Sequence, residues 1–241
     1  MLTSPNKEML AVVSMLTEPS KVLIFAAHQD DETIGCGGTI KKWSDLGSEV
    51  HVCFVTDGAT GVEQGTDGRD IITTRMLEAD KAGKILGVHK IHNLGLPCQN
   101  IINNQETFHK VIQKIREIKP DLVITHNQVC KHRDHKITSI IVEESCWKAS
   151  ENILEELGDV HVVRAIWSFE ILDPFDNPDY VVDITEQYEH KIRAFDAYHS
   201  QSEILGDIHR YMDGITKVRG YAIGTRRGES FKRIGIIPSK L

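Results

Sequence analysis

Two short runs of histidine and acidic residues are the strongest candidates for chemistry in this 241-residue sequence. The first run, AAHQDDETIGCGG (26–38), contains His28, Asp30, Asp31 and Glu32 and follows a short apolar segment. Imidazole and carboxylate groups together are ligands typical of a catalytic divalent cation. Consecutive acids also repel one another unless a cation or hydrogen bonds compensate. Because successive residues of an extended turn point in opposite directions, we expect Asp30 and Asp31 to have different roles, one at the metal and one at the reacting water.

The second run, KHRDHK (131–136), follows the apolar segment DLVITHN (121–127). His132 and His135 are three residues apart, so both rings can approach one point from the first turn of a helix. If the two apolar segments are parallel strands, both runs lie at the carboxyl edge of one sheet, where open α/β sheets bind their ligands. The two runs together therefore predict a single metal site.

The other histidines and the cysteines give weaker signals. His126 ends a predicted strand at the same edge, and its role stays open. Seven more have no histidine or acidic companion at ligand spacing, and we interpret them as structural or surface residues: His51, His89, His92, His109, His161, His190 and His209. The five cysteines form no CxxC pair, which is typical of buried thiols in a reducing compartment. The GCGG run (35–38) matches neither the GxGxxG nor the Walker pattern.

Alternating strands and helices must position the two runs. Nearly continuous apolar segments predict buried parallel strands over 22–28, 49–58, 90–96 and 121–127. Helical spacing of apolar residues predicts helices between them over 36–47, 70–86 and 105–118. This alternation favours βαβ units and a doubly wound α/β sheet.

The back third of the chain is less regular. There we expect a helix around 134–156, strands near 161–172 and 180–184, and a helix over about 186–199. No repeat or linker divides the chain, so we expect one domain over 1–241. We expect its C-terminal third, about 160–241, to complete the substrate pocket.

Composition argues against several classes of protein. The net charge of −7 argues against a nucleic-acid-binding surface, and we interpret the basic run VRGYAIGTRRGESFKR (218–233) as a solvated loop with an adjacent helix or strand. No apolar stretch approaches the ~20 residues that span a bilayer, and the N-terminal residues lack a signal-peptide pattern. We therefore expect a cytoplasmic protein that binds neither nucleic acid nor membrane.

In their order, the two runs resemble the zinc-dependent deacetylases of the PIG-L (LmbE-like) family, which carry an AHPDDE motif after the first strand and an HxDH motif later. This chain reads AHQDDE at 27–32 and HRDH at 132–135. Further similar stretches are VTDGATG (55–61), TRMLEADKAGKILG (74–87), KIRAFDAYHSQ (191–201) and RRGESF (226–231). The resemblance spans nearly the whole chain. It implies a Rossmann-like three-layer α/β/α sandwich with a mostly parallel sheet.

The resemblance also implies roles for the residues of both motifs. His28, Asp31 and His135 would be the zinc ligands, although the same donors could hold Fe²⁺, Co²⁺ or Mn²⁺. Asp30 would be the general base that activates the attacking water. His132, oriented by Asp134, would act as an acid or stabilise the tetrahedral intermediate. Arg75 would contact the substrate, at sugar hydroxyls or a neighbouring phosphate.

Three positions depart from the family pattern. Gln29 replaces the usual proline, Cys130 stands where some relatives place a tyrosine that stabilises the oxyanion, and Cys98 stands where relatives often have an aspartate near the sugar. The metal motif is intact, whereas the source of the oxyanion-stabilising donor stays open.

The implied function is zinc-dependent removal of an N-acetyl group from an N-acetylglucosamine-type sugar or its conjugate, with release of acetate. The partner is then a small amino sugar, and relatives commonly form homo-oligomers. Two alternatives stay open: an amidase of the same superfamily that cleaves a larger acyl or thiol conjugate, and a non-catalytic sugar-binding relative. Retention of Asp30 weighs against the second, because a binding protein needs no base. The missing glycine fingerprint disfavours a Rossmann-type dehydrogenase.

Overall fold

A computed structural model describes residues 18–62, 70–202 and 204–235, and within these ranges seven strands form one sheet. In chain order the strands are β1 (Lys21–Ala26), β2 (Glu49–Thr56), β3 (Lys90–Leu96), β4 (Leu122–His126), β5 (Ala165–Phe169), β6 (Tyr180–Asp183) and β7 (Gly228–Arg233). Their order across the sheet is β3-β2-β1-β4-β5-β7-β6. The first five pair in parallel, and β7 is antiparallel to both β5 and β6.

In the described ranges, six α-helices cover the two faces of this sheet. They are α1 (Asp31–Asp45), α2 (Ile71–Leu86), α3 (Gln105–Ile118), α4 (Arg133–Ala149), α5 (Tyr188–Phe195) and α6 (Ile208–Ala222). One hydrophobic core includes side chains of α1, α2, α5 and α6, and a second, on the other face, includes those of α3 and α4. None of the helices in the described ranges combines the length and the apolar character needed to cross a bilayer.

Burial on both faces explains the continuous apolar character of β1. Val22 and Ile24 belong to one core and Leu23 and Phe25 to the other, and all four are fully buried. A strand covered by helices on both sides has no polar face, so its residues do not alternate. The helix–sheet–helix layers confirm the predicted α/β/α fold with a mostly parallel sheet.

The chain reverses its direction across the sheet next to β1. From β1 it proceeds through β2 to β3 on one side, and β4 then returns to the other side of β1. The helices that follow β1 and β4 therefore lie on opposite faces and leave a crevice beyond the carboxyl ends of these two strands. Ligands of open α/β sheets bind at such a switch point. The first histidine and acidic run follows β1 and the second follows β4.

Most elements predicted for the first half are present, with ends that shift by at most two residues. The exception is α1, which begins at Asp31 instead of 36. It has a kink at Cys36 (φ −148°, ψ 23°) that interrupts its hydrogen bonding. The acidic first turn is consistent with a helix start, because carboxylates near an N-terminus interact favourably with the helix dipole.

The back third differs more from the prediction. α4 ends at Ala149 instead of 156. The buried Arg116 guanidinium donates to the carbonyls of Ala149, Glu151 and Ile153, and these bonds take the place of those that a longer helix would form. The strand expected near 161–172 is shorter, and the helix expected over 186–199 ends at Phe195, before a 3₁₀ turn at His199–Gln201. The basic run is the end of α6, a turn and β7. β7 lacks an apolar pattern because Glu229 and Ser230, although buried, pair with polar groups.

Candidate metal centre

The turn after β1 is fixed by hydrogen bonds from neighbouring strands. The Ala27 carbonyl accepts from the backbone N–H and the hydroxyl of Thr56 at 3.0 and 2.8 Å. The Ala27 N–H donates to Nε2 of His126 at 2.8 Å. The ends of β1, β2 and β4 are thus tied together directly beneath the site.

Asp31 lies at the centre of a histidine cluster. Its carboxylate oxygens are 3.2 Å from Nδ1 of His28, 3.3 Å from Nε2 of His135 and 3.4 Å from Nε2 of His126. Although burial opposes ionisation, the positive charges of His135 and His28 hold the pKa of Asp31 well below its usual range. The structure therefore brings two of the predicted ligands, His28 and His135, to the carboxylate of the third, Asp31.

Three overlapping donor sets occur among the described residues of this cluster, and within each set the ligand atoms lie within 4.8 Å of one another. The sets are His28 with His132 and His135, Asp31 with His126 and His135, and His28 with Cys98 and Asp134. The Nε2 lone pair of His126 already accepts the Ala27 N–H. Burial lowers the pKa of His126 to about 3, so its ring is neutral. His126, whose role the sequence leaves open, therefore holds the turn and is a poor candidate ligand.

His28 and His135 each direct one ring nitrogen to Asp31 and the other to a further side chain. Nε2 of His28 is 3.0 Å from Asp134 Oδ2, and Nδ1 of His135 is 3.3 Å from the thiol of Cys130. Burial lowers the pKa of each ring, but the carboxylate of Asp31 outweighs it and raises the pKa of His135 to about 9 and that of His28 well above 6.5. A metal ion would displace these protons, as ligation requires neutral imidazole.

Asp134 contacts one histidine of each run, in different ways. Its carboxylate contacts His28 and accepts the Gln99 N–H at 2.7 Å, while its own N–H donates to Nδ1 of His132 at 3.2 Å. His132 caps α4 through this bond. With Nδ1 accepting, the tautomer we assign to His132 carries its proton on Nε2. Burial and the neighbouring His135 lower the pKa of His132, which favours this neutral form.

Asp30 has a backbone conformation that side-chain-bearing residues rarely adopt, with φ 135° and ψ −29°. Its N–H donates to Glu32 Oε2 at 3.2 Å, and its carbonyl accepts the Ile34 N–H at 2.9 Å. Such strain costs about 1–3 kcal/mol and tends to occur at functional sites. Burial raises the pKa of Asp30 to about 7 against the opposing charge of Arg75.

Arg75 lies against Asp30 and is almost fully buried, with 3% of its surface exposed. One terminal nitrogen donates to the Gln29 carbonyl at 2.7 Å and to Asp30 Oδ2 at 3.3 Å. Gln29 itself is fully buried, and its side-chain amide donates to the Thr56 carbonyl. Gln29, which replaces the family's proline, therefore fixes the turn by a hydrogen bond.

A cavity of about 210 Å³ opens onto these residues. The polar wall consists of His28, Asp30, Asp31, Arg75, His132 and His135, and the apolar wall of Ile34, Ile171, Leu172, Ile204, Leu205 and Ile208. Cys98 also lines it, whereas Cys130 does not and contacts His135 from outside. Gln201 lines the cavity as well. The motifs did not predict it as a site residue, although it lies in the stretch KIRAFDAYHSQ that resembles the family.

The sheet, its switch point and the histidine–aspartate cavity define an α/β protein with a candidate metal-hydrolase site. A model of the family described as GlcNAc-PI de-N-acetylase (PIG-L) matches residues 23–146, about half of the chain. The diacetylchitobiose deacetylase of Thermococcus kodakarensis is 30% identical over 191 residues, which are 75% of this chain and 70% of that protein. The chain belongs to the PIG-L family, as its motifs predict.

Two further similarities agree with this assignment. A Bacillus cereus protein named as a probable N-acetyl-α-D-glucosaminyl L-malate deacetylase 2 is 29% identical over 196 residues, which are 78% of this chain and 87% of that one. The N,N'-diacetylchitobiose deacetylase from Pyrococcus horikoshii has a TM-score of 0.82 and 27% identity, covering 97% of this chain and 95% of its own. These relatives are named as deacetylases, which are hydrolases of amide bonds.

Proposed function

We propose that this protein is a metal-dependent deacetylase that hydrolyses the N-acetyl amide of an N-acetylglucosamine-type sugar or its conjugate and releases acetate. The observation that carries the proposal is the position of Asp30, which lines the same cavity as His28, Asp31 and His135. Its pKa of about 7 is suited to a base at neutral pH, because proton transfer is most efficient when the pKa of the base is near the working pH.

The proposed ligands of the metal are His28, Asp31 and His135, and the proposed metal is Zn²⁺. The donor set fits: two imidazoles and a carboxylate leave a fourth position open in a tetrahedral zinc site. Fe²⁺ or Co²⁺ would also be compatible with these donors. When bound, such a cation polarises the acyl carbonyl and lowers the pKa of water to about 7.

The remaining polar residues would handle protons and charge. Asp30 would accept the proton of the attacking water and would then pass it to the amine nitrogen as the C–N bond breaks. His132 would donate a hydrogen bond from Nε2 to the oxygen of the tetrahedral intermediate. His132 therefore takes the place of the tyrosine that some relatives supply. Asp134 would orient His28 through its carboxylate and His132 through its N–H. Arg75 would hold Asp30 in position from below while reaching the cavity wall.

The small cavity suits a single acylated sugar unit as the substrate. Six lining residues come from the C-terminal third, which supports our proposal that the whole chain forms one catalytic domain: Ile171, Leu172, Gln201, Ile204, Leu205 and Ile208. We also propose a cytoplasmic location, consistent with the free state of all five cysteines in the described ranges. A homo-oligomer is part of the proposal by analogy with relatives alone. The apolar wall favours one alternative substrate class, an amide with a longer acyl chain.

Two substitutions separate the roles of base and ligand. Asp30→Ala should retain the metal content of the wild type but lose turnover by roughly 10²–10⁴-fold, because only the base is removed. His135→Ala should lose both metal and turnover, because a ligand is removed. Metal content by plasma mass spectrometry and acetate release from N,N'-diacetylchitobiose measure the two properties.

His209→Ala is the matched control, since His209 is an exposed histidine that pairs with Asp196 away from the cavity. It should change neither property. An Asp30→Ala protein with normal turnover, or a His135→Ala protein with full metal content, would contradict the assigned roles.

A further inference from the structure

A second group of metal-ligating side chains lies at the opposite edge of the sheet. Glu49 and His51 are at the beginning of β2, and His89 directly precedes β3. One ligand atom from each of the three lies within 4.8 Å of the other two. From the sequence, His51 and His89 are interpreted as structural or surface residues, and parallel pairing of β2 and β3 brings the two histidines together.

His51 is the residue that points to a ligand. It is 7% exposed, and its buried Nε2 has no hydrogen-bond partner among residues 18–62, 70–202 and 204–235. Nδ1 of His51 faces Nε2 of His92 at 3.1 Å, so one of these nitrogens carries the shared proton. If His51 donates it, Nε2 presents a free lone pair toward Glu49 and His89. Metal-bound histidines usually donate their other N–H to a neighbouring acceptor in this way.

The spacing of the donors suits a small divalent cation. Nε2 of His51 is 3.9 Å from Glu49 Oε2, and the rings of His51 and His89 are 5.1 Å apart between centroids. Two ligands of a tetrahedral zinc ion lie roughly 3.4 Å apart, so modest rotation of the side chains would complete the site. Lys21 contacts Glu49 at 3.0 Å, but its side chain is 34% exposed and can turn into solvent when a cation replaces it.

We propose that His51, His89 and Glu49 form a second site for a divalent transition-metal ion of the zinc class. His92 fixes the tautomer of His51 and does not bind the ion itself. The ion would connect the beginnings of β2 and β3. Because β2 extends from Glu49 at this edge to Thr56 beneath the catalytic cavity, the site is separate from the candidate active site.

The test is the number of zinc ions bound per chain at equilibrium. Wild type, His89→Ala and Glu49→Gln are dialysed against micromolar zinc, and zinc is measured on both sides of the membrane. We expect each variant to bind one zinc ion fewer than the wild type. Both substituted side chains are exposed, so the fold should be retained, and zinc at the catalytic cavity cancels in the difference.

His209→Ala is again the control, since His209 lies beside the Asp196 carboxylate and belongs to none of the candidate donor groups of the described residues. It should bind as much zinc as the wild type. The proposal is overturned if His89→Ala and Glu49→Gln bind as much zinc as the wild type, or if His209→Ala loses as much as they do. Acetate release by His89→Ala should equal that of the wild type, so neither result affects the proposed deacetylase function.

Discussion

At the scale of single residues, the site depends on how adjacent acids are separated. Asp31 faces the histidine cluster, whereas the unusual backbone of Asp30 turns its carboxylate toward Arg75. The same positive φ that strains Asp30 therefore separates two chemically identical side chains into different environments. One has a pKa well below the usual range and the other a pKa of about 7. The order of residues in the motif predicted different roles, but the strained angle could not be predicted.

The position of Arg75 predicts how its substitution affects kinetics. Arg75→Lys keeps the charge but loses the planar group that bonds both the Gln29 carbonyl and Asp30. We expect kcat to fall roughly 10–100-fold because Asp30 is displaced, with little change in KM. Steady-state kinetics on N,N'-diacetylchitobiose measure both constants. A raised KM with unchanged kcat would instead assign Arg75 to direct substrate binding, as the family resemblance implies.

At the scale of elements, the kinked helix α1 connects the histidine–aspartate cluster to the rest of the fold. The kink at Cys36 frees backbone groups in the middle of the helix. The Glu229 carboxylate accepts the N–H groups of Gly38 and Thr39 at 2.9 and 2.7 Å, and the Lys191 ammonium donates to the Ile34 carbonyl at 2.7 Å. Residues far along the chain thus cap both halves of the broken helix.

Close packing beside the kink makes one glycine necessary. A Cβ added at Gly38 would lie 2.7–2.9 Å from atoms of Ile184, whereas one at Gly214 in α6 would have no described heavy atom within 4 Å. We expect Gly38→Ala to lower the free energy of unfolding by about 1–3 kcal/mol through overpacking. Gly214→Ala, the matched control in an exposed helix position, should raise it by about 0.5–1 kcal/mol. Urea denaturation measures both, and equal effects would contradict the packing argument.

The elements also show what the sequence could predict. β1 to β4 and α2 and α3 were predictable because the apolar pattern of a segment reflects its burial. α6 and β7 were not, because β7 is stabilised by polar partners: Glu229 binds α1, and Ser230 contacts Glu170. The histidine–aspartate cluster was predictable from two motifs, whereas the anchoring role of His126 depends on a contact across 99 residues.

At the scale of the whole molecule, the C-terminal third is joined to the catalytic half by buried charges. Lys191 of α5 and Glu229 of β7 form an ion pair at 2.5 Å, and their side chains are 1% and 3% exposed. Both bond α1, the helix that begins at Asp31. Both also lie outside residues 23–146, the part that the family model matches. The second half of the chain therefore supports the position of a proposed metal ligand.

Removing one charge of this ion pair should destabilise the fold more than replacing both charges. Lys191→Met leaves the Glu229 carboxylate buried without its counter-charge, and we expect a loss of roughly 3–5 kcal/mol in the free energy of unfolding. In the double variant Lys191→Met/Glu229→Gln the loss should be smaller than the sum of the single losses by about 1–3 kcal/mol. Urea denaturation of the wild type, Lys191→Met, Glu229→Gln and the double variant measures the four free energies that the cycle needs. Strictly additive losses would contradict direct coupling of the two charges.

The most direct test of the central claim is acetate release by the zinc-loaded protein from a panel of N-acetyl sugars, with and without a chelator. The panel comprises N-acetylglucosamine, N,N'-diacetylchitobiose and an N-acetylglucosaminyl conjugate, with an N-octanoyl analogue to test a longer acyl chain. We expect stoichiometric acetate and free amine from at least one N-acetyl substrate, loss of activity with chelator, and recovery when zinc is restored. Undiminished hydrolysis in the presence of chelator, or cleavage of the octanoyl analogue alone, would contradict a metal-dependent deacetylase.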